Sequence, residues 1–487
     1  MVNSSGGRGI NESNIIGIAS DVTLARELGW KDGLMIGIGG MIGGGVFSVL
    51  GVAASIAGPS LVLSFIFGGF MAIMTGYSYS KLAVLFPRAG GAYLFVESAF
   101  KDIRYGYWLK SYSAWLLWSA YVITCALYSF TFGAYFTGML ATLVAPVFVL
   151  DPAQFFWLKK IFTVVLILFF LNLNLRGVKE ATSMQNKIVI TKVLILIFFV
   201  LAGLFWLVTA VGLDNLIGPG PVPDWTVFFP NGPTAFIIAA TVIFVAYEGF
   251  ELIHNAADEM VEPKKDVPKA IYLSILIVWA IYVLVGFVAV GNLPYTTLTP
   301  ENAEYALALA AEPVLQSFGF LLIGLGALFS TASAFNASLF GSSRLAFDMA
   351  KEELFPRQFL KLNKNRVPSK SLTIISLVTI AVAITLGLEN IAASASVAFL
   401  AIFCLVNISA IRLREQANFG KTVIIPIIAL ITSAIALFGL ILYYIGEQNW
   451  LALSFLAIYF VVVFIINSLS NYYSIRNNDR TRPEKKT

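Results

Sequence analysis

Apolar runs of about 18 residues or more recur along almost the whole chain, and each could cross a hydrocarbon core about 30 Å thick. Inside lipid a backbone N–H or C=O has no water to bond, so such runs must close their hydrogen bonds internally, as helices. The composition agrees. Of 487 residues 58% are hydrophobic and only 12% are charged, about half the charged share of a soluble domain. The length alone would suggest about three soluble domains, but the runs leave no room for a separate one. The expected fold class is an all-α polytopic membrane protein with about twelve transmembrane helices.

The expected spans are roughly 33–57, 59–85, 106–140, 156–175, 184–212, 232–259, 268–291, 313–345, 370–388, 390–411, 422–445 and 450–472. Residues 1–32 are Gly-, Ser- and Asn-rich with Arg8, Arg26 and Lys31. They have no signal-peptide pattern and read as a cytoplasmic tail with a short polar lead-in. The tail 473–487 is basic.

Orientation comes from the basic residues, which concentrate in cytoplasmic loops. With the N-terminus inside, those loops hold Arg88, Lys101, Arg104, Arg176, Lys179, Lys187, Lys264, Lys265 and Lys269. Further along come Lys351, Arg357, Lys361, Lys364, Arg366, Lys370, Arg412, Arg414 and Lys421. Arg476, Arg480, Arg482, Lys485 and Lys486 lie in the tail. The opposite loops hold only Lys159 and Lys160 beside Asp151, Asp214, Asp224, Glu301, Glu304, Glu312, Glu389 and Glu447. Both termini are thus expected in the cytoplasm, in a multi-pass protein of the cell membrane. The net charge of +5 is spent on topology, which argues against a nucleic-acid partner; the partner is the lipid bilayer. Cys125 and Cys404 fall inside spans and imply no disulfide framework. His254 is the only histidine, which excludes a His-based metal cluster.

Two spans are interrupted. Gly37-Ile38-Gly39-Gly40-Met41-Ile42-Gly43-Gly44-Gly45 places six glycines in nine residues, each costing a helix roughly 1 kcal/mol relative to Ala. Span six carries Phe244-Val245-Ala246-Tyr247-Glu248-Gly249-Phe250-Glu251, with a glycine and two acids at mid-depth. Spans one and six correspond if the first ten spans form two five-span halves, 33–212 and 232–411, with 422–472 appended as helices 11 and 12. Breaks at matching places in two halves point to a mid-membrane substrate site. Tight small-residue packing between helices would produce the same glycines.

These segments resemble the amino acid–polyamine–organocation (APC) transporters. Gly40-Met41-Ile42-Gly43-Gly44-Gly45-Val46-Phe47 is similar to the family's break in span one. Gly58-Pro59 and Phe86-Pro87-Arg88-Ala89-Gly90-Gly91-Ala92-Tyr93 resemble the opening of span two and the first cytoplasmic loop. Asn174-Leu175-Arg176-Gly177-Val178-Lys179 resembles the turn after span four. Ala246 to Glu251, then Glu259-Met260-Val261-Glu262-Pro263-Lys264-Lys265-Asp266-Val267-Pro268-Lys269-Ala270-Ile271, resembles span six and its exit. Ser330 to Asn336, Ser343-Arg344-Leu345-Ala346-Phe347 and Pro356 resemble span eight and its loop. The matches run in family order from about 30 to 370. Lys81, where the family commonly has Glu, and Glu352-Glu353, where it has Asp-Gly, depart at the cytoplasmic edge. The resemblance implies two inverted five-helix repeats with discontinuous helices 1 and 6.

An amino acid zwitterion needs donors for its carboxylate and acceptors for its ammonium, and an unwound helix supplies both from its backbone. The resemblance implies amides around Gly43, Gly44, Gly45 and Val46 for the carboxylate, and carbonyls near Met41, Ile42, Phe244 and Ala246 for the ammonium. Gly249 belongs to the same break. Tyr247 could close over the ligand or simply pack. Glu248 could pair with a cationic group, join a proton path, or face a neighbouring span. Lys192 lies about eight residues into span five, about 12 Å from its inner end. An intramembrane charge there is a functional candidate, with snorkelling as the alternative. The resemblance implies that Lys192 stands where sodium-coupled relatives hold a sodium ion, facing span one and a hydroxyl of span eight. Ser330 and Ser333 share a helix face, and either could supply it. His254 reads as a packing residue, and Asp258 and Glu259 as a gate or solvated edge.

There is no nucleophile–base pair, phosphate loop or metal spacing, so no catalytic residue, cofactor or metal is expected. The leading reading is a secondary transporter of amino acids, proton-linked or exchanging and independent of sodium. A polyamine or organic-cation carrier, or a transporter-like sensor that binds without turnover, are the alternatives.

Overall fold

In a computed structural model, residues 26–481 are described except 89, 146–148, 177–180, 212–226, 300–301 and 366; side chains 181–185, 210–211 and 471–481 are also left aside. The charges assigned above to Arg8, Lys179, Arg366, Arg482, Lys485, Lys486, Asp214, Asp224 and Glu301 lie outside the described residues, as do Ala89, Gly177 and Val178 of the family motifs.

The described residues are helical throughout, with one isolated β-bridge, Leu28 to Met260. Helix α1 spans Trp30–Met41, α2 Gly45–Ala57, α3 Leu61–Leu85, α4 Ala92–Phe100, α5 Gly106–Val144, α6 Pro152–Arg176 and α7 Ala181–Trp206. Then come α8 Ala235–Ile243, α9 Leu252–Asn255, α10 Pro263–Asn292, α11 Glu312–Lys351, α12 Ser369–Thr385, α13 Leu388–Arg412, α14 Ile424–Gly446 and α15 Trp450–Thr481. Ten helical stretches among the described residues are long and apolar enough to cross a membrane. The difference from twelve has a physical origin. Gly45–Leu85 runs as one stretch because a tight turn at Gly58–Ser60 joins α2 to α3, α1 is cut short by the glycines, and α12 has only 17 residues.

Several expected boundaries move. Helix α5 has 39 residues, about 58 Å at 1.5 Å per residue, so its ends extend past a hydrocarbon core of about 30 Å. Helix α11 contains a kink at Gln316, φ 55°, which separates its first turn from the long apolar run. Ala92–Phe100, read from the sequence as loop, is a short helix that buries Tyr93, Leu94, Phe95 and Val96 against α5 and α13. The lead-in is not wholly a tail. Glu27 and Leu28 donate their N–H groups to the Glu259 carbonyl at 3.0 and 2.9 Å, and Val261 N–H returns to Leu28 O at 2.9 Å.

The broken segments, α5 and α13 form the buried centre. Helix α3 packs along α10, and α11 along α5. Outside them, α6, α7, α14 and α15 present large apolar side chains such as Trp157, Phe169, Leu194, Phe438 and Ile458. Such an outward apolar surface suits lipid, and the chain is a multi-pass membrane protein.

The two basic residues that depart from the charge pattern both have internal partners. Lys159 forms a buried pair with Glu304 at 2.7 Å. Glu304 lies in the 3₁₀ turn Ala303–Tyr305, and the carbonyl of Ala303 rests against Gly51 of α2. Lys160 donates to the terminal carbonyls of α12, Ala383 at 3.0 Å and Ile384 at 2.8 Å, a cation placed at the negative end of a helix. Removing one member of a buried pair strands the other charge, which costs about 3–5 kcal/mol. Glu304→Gln is therefore expected to lower the thermal unfolding temperature in detergent markedly, and the double variant with Lys159→Met to recover much of the loss. An unchanged midpoint in the single variant would show that the pair contributes nothing.

Candidate functional site

Both breaks are real and they cross. Helix α1 stops at Met41; Ile42 takes φ −78°, ψ 56°, its N–H still bonded to Ile38 O, and the chain resumes as a helix at Gly45. In the second break α8 passes into a 3₁₀ turn, Phe244–Tyr247, then Glu248 is extended and Gly249 takes φ 118°. Gly249 needs glycine twice over. Its φ lies in the left-handed region, and a Cβ there would sit 2.5 Å from the Gly40 carbonyl carbon. A Cβ on Gly45 would lie 2.4 Å from Ala246 Cα. The two unwound backbones touch directly, which explains the glycines and the alanine in the sequence.

Unwinding inside an apolar core frees carbonyls that need donors. Tyr282 of α10 donates one hydroxyl towards both breaks, to Met41 O at 2.7 Å and Ala246 O at 3.2 Å. Ser330 of α11 donates to Ile42 O at 2.7 Å and Gly43 O at 2.5 Å. Ser396 of α13 accepts from Val245 N–H at 3.0 Å and donates to Val242 O at 3.1 Å. Three of the four carbonyls expected to receive a ligand ammonium, those of Met41, Ile42 and Ala246, thus already hold a hydroxyl. Phe244 is fully buried with its ring against Phe403. Tyr282 and Ser396 escaped the sequence reading because nothing local marks them. On the donor side, Ser48 N–H is the first in α2 to reach a carbonyl one turn back, Gly44 O at 2.9 Å. The amides of Gly45, Val46 and Phe47 stand at the free N-terminal end.

Lys192 is 1% exposed and donates to the Gly39 carbonyl at 2.9 Å. That carbonyl belongs to the last turn of α1, which has no basic residue of its own. Snorkelling is excluded by the burial. The expected partnership with a span-eight hydroxyl divides differently: Ser330 holds the break itself, while Ser333 donates back to Ser330 O within α11 at 3.1 Å. No hydrogen bond joins Lys192 to either.

A small cavity lies beside the crossing. Its walls include Gly40, Tyr121 and Tyr128 of α5, Glu248, Glu251 and Ser338. It has room for about one water. Of the expected binding residues, Glu248 and Gly249 reach this cavity; Met41, Ile42, Gly43, Gly44, Gly45, Val46, Phe244, Ala246 and Tyr247 do not line it. Tyr247 turns away because its hydroxyl bonds Phe65 O at 2.7 Å and its ring packs on Gly68 and Tyr282. Glu251 is tied down, accepting from Gly249 N–H at 2.7 Å and from Tyr121 at 3.4 Å. The Oε2 of Glu248 is buried with no partner. His254 packs as expected, on Phe86 O at 3.1 Å and the Phe95 ring. Among the described residues no cluster of His, Cys, Asp or Glu could hold a metal ion.

A family model described as amino acid permease matches residues 28–468. Among curated relatives, an uncharacterised protein of Methanocaldococcus jannaschii is 33% identical, the match covering 90% of this chain and 93% of its own. A methylthioribose transporter of Bacillus subtilis is 28% identical over 88% of this chain and 90% of its own. A branched-chain amino acid permease of the same organism is 25% identical over 93% and 94%.

Two neighbouring glycines should separate packing from binding. A Cβ on Gly45 meets backbone, while one on Gly44 would lie 2.4 Å from the ring of Tyr128, one of the side chains that line the cavity. Gly45→Ala is expected to destabilise by about 1–3 kcal/mol or prevent folding. Gly44→Val is expected to stay monodisperse and abolish substrate binding, checked by size-exclusion profile and ligand-dependent thermal shift. Normal binding by Gly44→Val would reduce the first break to a packing motif.

Proposed function

We propose that this chain, which belongs to the amino acid permease family, is a secondary transporter that carries amino acids across the cell membrane by alternating access without sodium. The observation that carries the coupling is Lys192, whose buried amino group donates to the Gly39 carbonyl at the end of a broken helix. A protonated lysine at that place supplies the positive charge that a bound sodium ion would otherwise supply, so the ion is not needed. The substrate is held at the crossing. Its carboxylate lies against the free amides from Gly43 to Val46, where the dipole of α2 favours an anion, and its ammonium lies against backbone carbonyls of the two breaks. Protons or a second substrate drive the cycle.

The twelve-span reading counts α1 with α2 as one interrupted crossing, separates α3 from it, and takes α12 as a short crossing. That adds two to the ten stretches that qualify by length. Residues 33–212 and 232–411 then form the two inverted repeats, 422–472 the two appended helices, and both tails are cytoplasmic. The printed names of the relatives include a transporter of methylthioribose and a permease of branched-chain amino acids, so membership alone leaves the substrate class open.

Uptake and counterflow of amino acids in proteoliposomes test transport directly, and a sensor without turnover would show binding with no counterflow. Replacing sodium by potassium at constant ionic strength is expected to leave uptake unchanged, and Lys192→Ala to abolish it. Uptake that rises steeply with sodium would refute the role given to Lys192.

A further inference from the structure

We propose that Tyr282 is a positioning residue for the substrate's ammonium: its hydroxyl covers the carbonyls of Met41 and Ala246 while the site is empty, and it gives up the Ala246 carbonyl when the ammonium arrives. The inference rests on the transport reading above, which lays an ammonium against carbonyls of the two breaks, and it adds which protein group stands there first.

The two breaks leave four buried carbonyl oxygens outside the helical ladders, those of Met41, Ile42, Gly43 and Ala246. Among the described residues no backbone N–H is bonded to any of them. Two side chains cover them instead. Tyr282 donates to Met41 O at 2.7 Å and Ala246 O at 3.2 Å, and Ser330 to Ile42 O and Gly43 O. A hydroxyl carries one proton, so two protons are divided among four acceptors. At Tyr282 the shorter bond goes to Met41 O, and Ala246 O holds the weaker share. Ser330 serves two neighbours within the first break, whereas Tyr282 reaches both breaks with one atom.

A buried carbonyl that shares one proton with another is poorly satisfied, and a charged donor bonds it more strongly than a neutral hydroxyl does. An ammonium brings three N–H donors, which is what the crossing lacks. None of the four carbonyl residues lines the cavity, so the ammonium meets these oxygens where the hydroxyls now cover them. Ala246 O is the one held least. The ring of Tyr282 does not have to move for the exchange. It is fully buried, with the rings of Phe65 at 5.8 Å and Tyr247 at 5.3 Å, and Tyr247 is itself tied to Phe65 O. Only the O–H turns: its proton settles wholly on Met41 O as Ala246 O passes to the ammonium. The end of α1 stays held in both states, while the second break is released to the ligand.

The test measures binding to the purified full chain by calorimetry and ligand-dependent thermal shift. The probes are leucine, alanine and lysine, beside their counterparts without the α-amino group, 4-methylpentanoate, propionate and 6-aminohexanoate. The wild type is expected to bind at least one amino acid and not its counterpart. In Tyr282→Phe the ring contacts remain and the competing proton is gone. That amino acid should then bind about tenfold tighter, the worth of one hydrogen bond, with its counterpart unchanged and the unliganded protein melting lower. Counterflow should show the same split, a lower KM with a lower maximal rate. Replacing Tyr282 by 3-fluorotyrosine keeps the ring and makes the hydroxyl a stronger donor; it should weaken the amino acid, and it decides the matter where Tyr282→Phe does not fold. Binding unchanged or weaker in Tyr282→Phe, or unchanged or tighter with 3-fluorotyrosine, overturns the assignment, since a tyrosine that only braces the breaks lowers stability without raising affinity. Equal binding of amino acid and counterpart by the wild type overturns it too. A wild type that binds none of the three amino acids refutes the transport reading and this inference with it; binding indifferent to the Tyr282 hydroxyl refutes only this inference.

Discussion

The structure depends on one contact: two unwound backbones crossing in an apolar interior at Gly40 with Gly249 and at Gly45 with Ala246. The approach leaves no room for a side chain at Gly45 or Gly249, and it leaves backbone groups without helical partners. In water those groups would be solvated. In a membrane each unpaired group costs several kcal/mol, so the crossing can exist only where other helices deliver donors. Tyr282, Ser330 and Ser396 reach it from three separate helices. The arrangement of α10, α11 and α13 around the breaks is therefore as much a requirement of hydrogen bonding as of packing.

Lys192 belongs to the same balance. An ammonium has three donors and no acceptor, and burying one is costly unless it meets negative charge. The last turn of α1 offers that charge in the carbonyl end of its dipole, and Lys192 meets it at Gly39 O. The same logic places Lys160 at the end of α12. In both cases a lysine on one helix completes the terminus of another, and both sites were visible in the sequence only as charges in unexpected places.

What the sequence could reveal follows from how local each cause is. The apolar runs, the charged loops and the glycine density at 37–45 act within a few turns, so the all-helical membrane fold and both breaks could be read directly. The interruption of span six could be placed at 244–251, but its conformation could not, because Gly249 takes its left-handed φ from contact with Gly40, far away in the chain. Tyr282 looks like any other tyrosine in an apolar helix until α10 is docked on α1. Tyr247, set inside the motif, invited a pocket role and instead packs on Gly68. Glu248 and Lys192 were legible for the opposite reason, since a charge in an apolar run has few uses and each demands a partner.

The two broken helices are also joined at the ends away from the crossing. The segment before α1 is bound through Glu27 and Leu28 to Glu259 and Val261, beyond the end of α9. Gly33 and Gly37 let α1 lie against Met260, Ile253 and Ser274, where added Cβ atoms would come within 3 Å of these side chains. Moving α1 alone would break three backbone bonds and part this close packing. Moving α1 together with α9 keeps these three bonds, but α1 would still have to slide on Ala270 and Ser274 of α10 and on Lys192 of α7. The three backbone bonds thus couple the two broken helices, so that neither can shift far without the other.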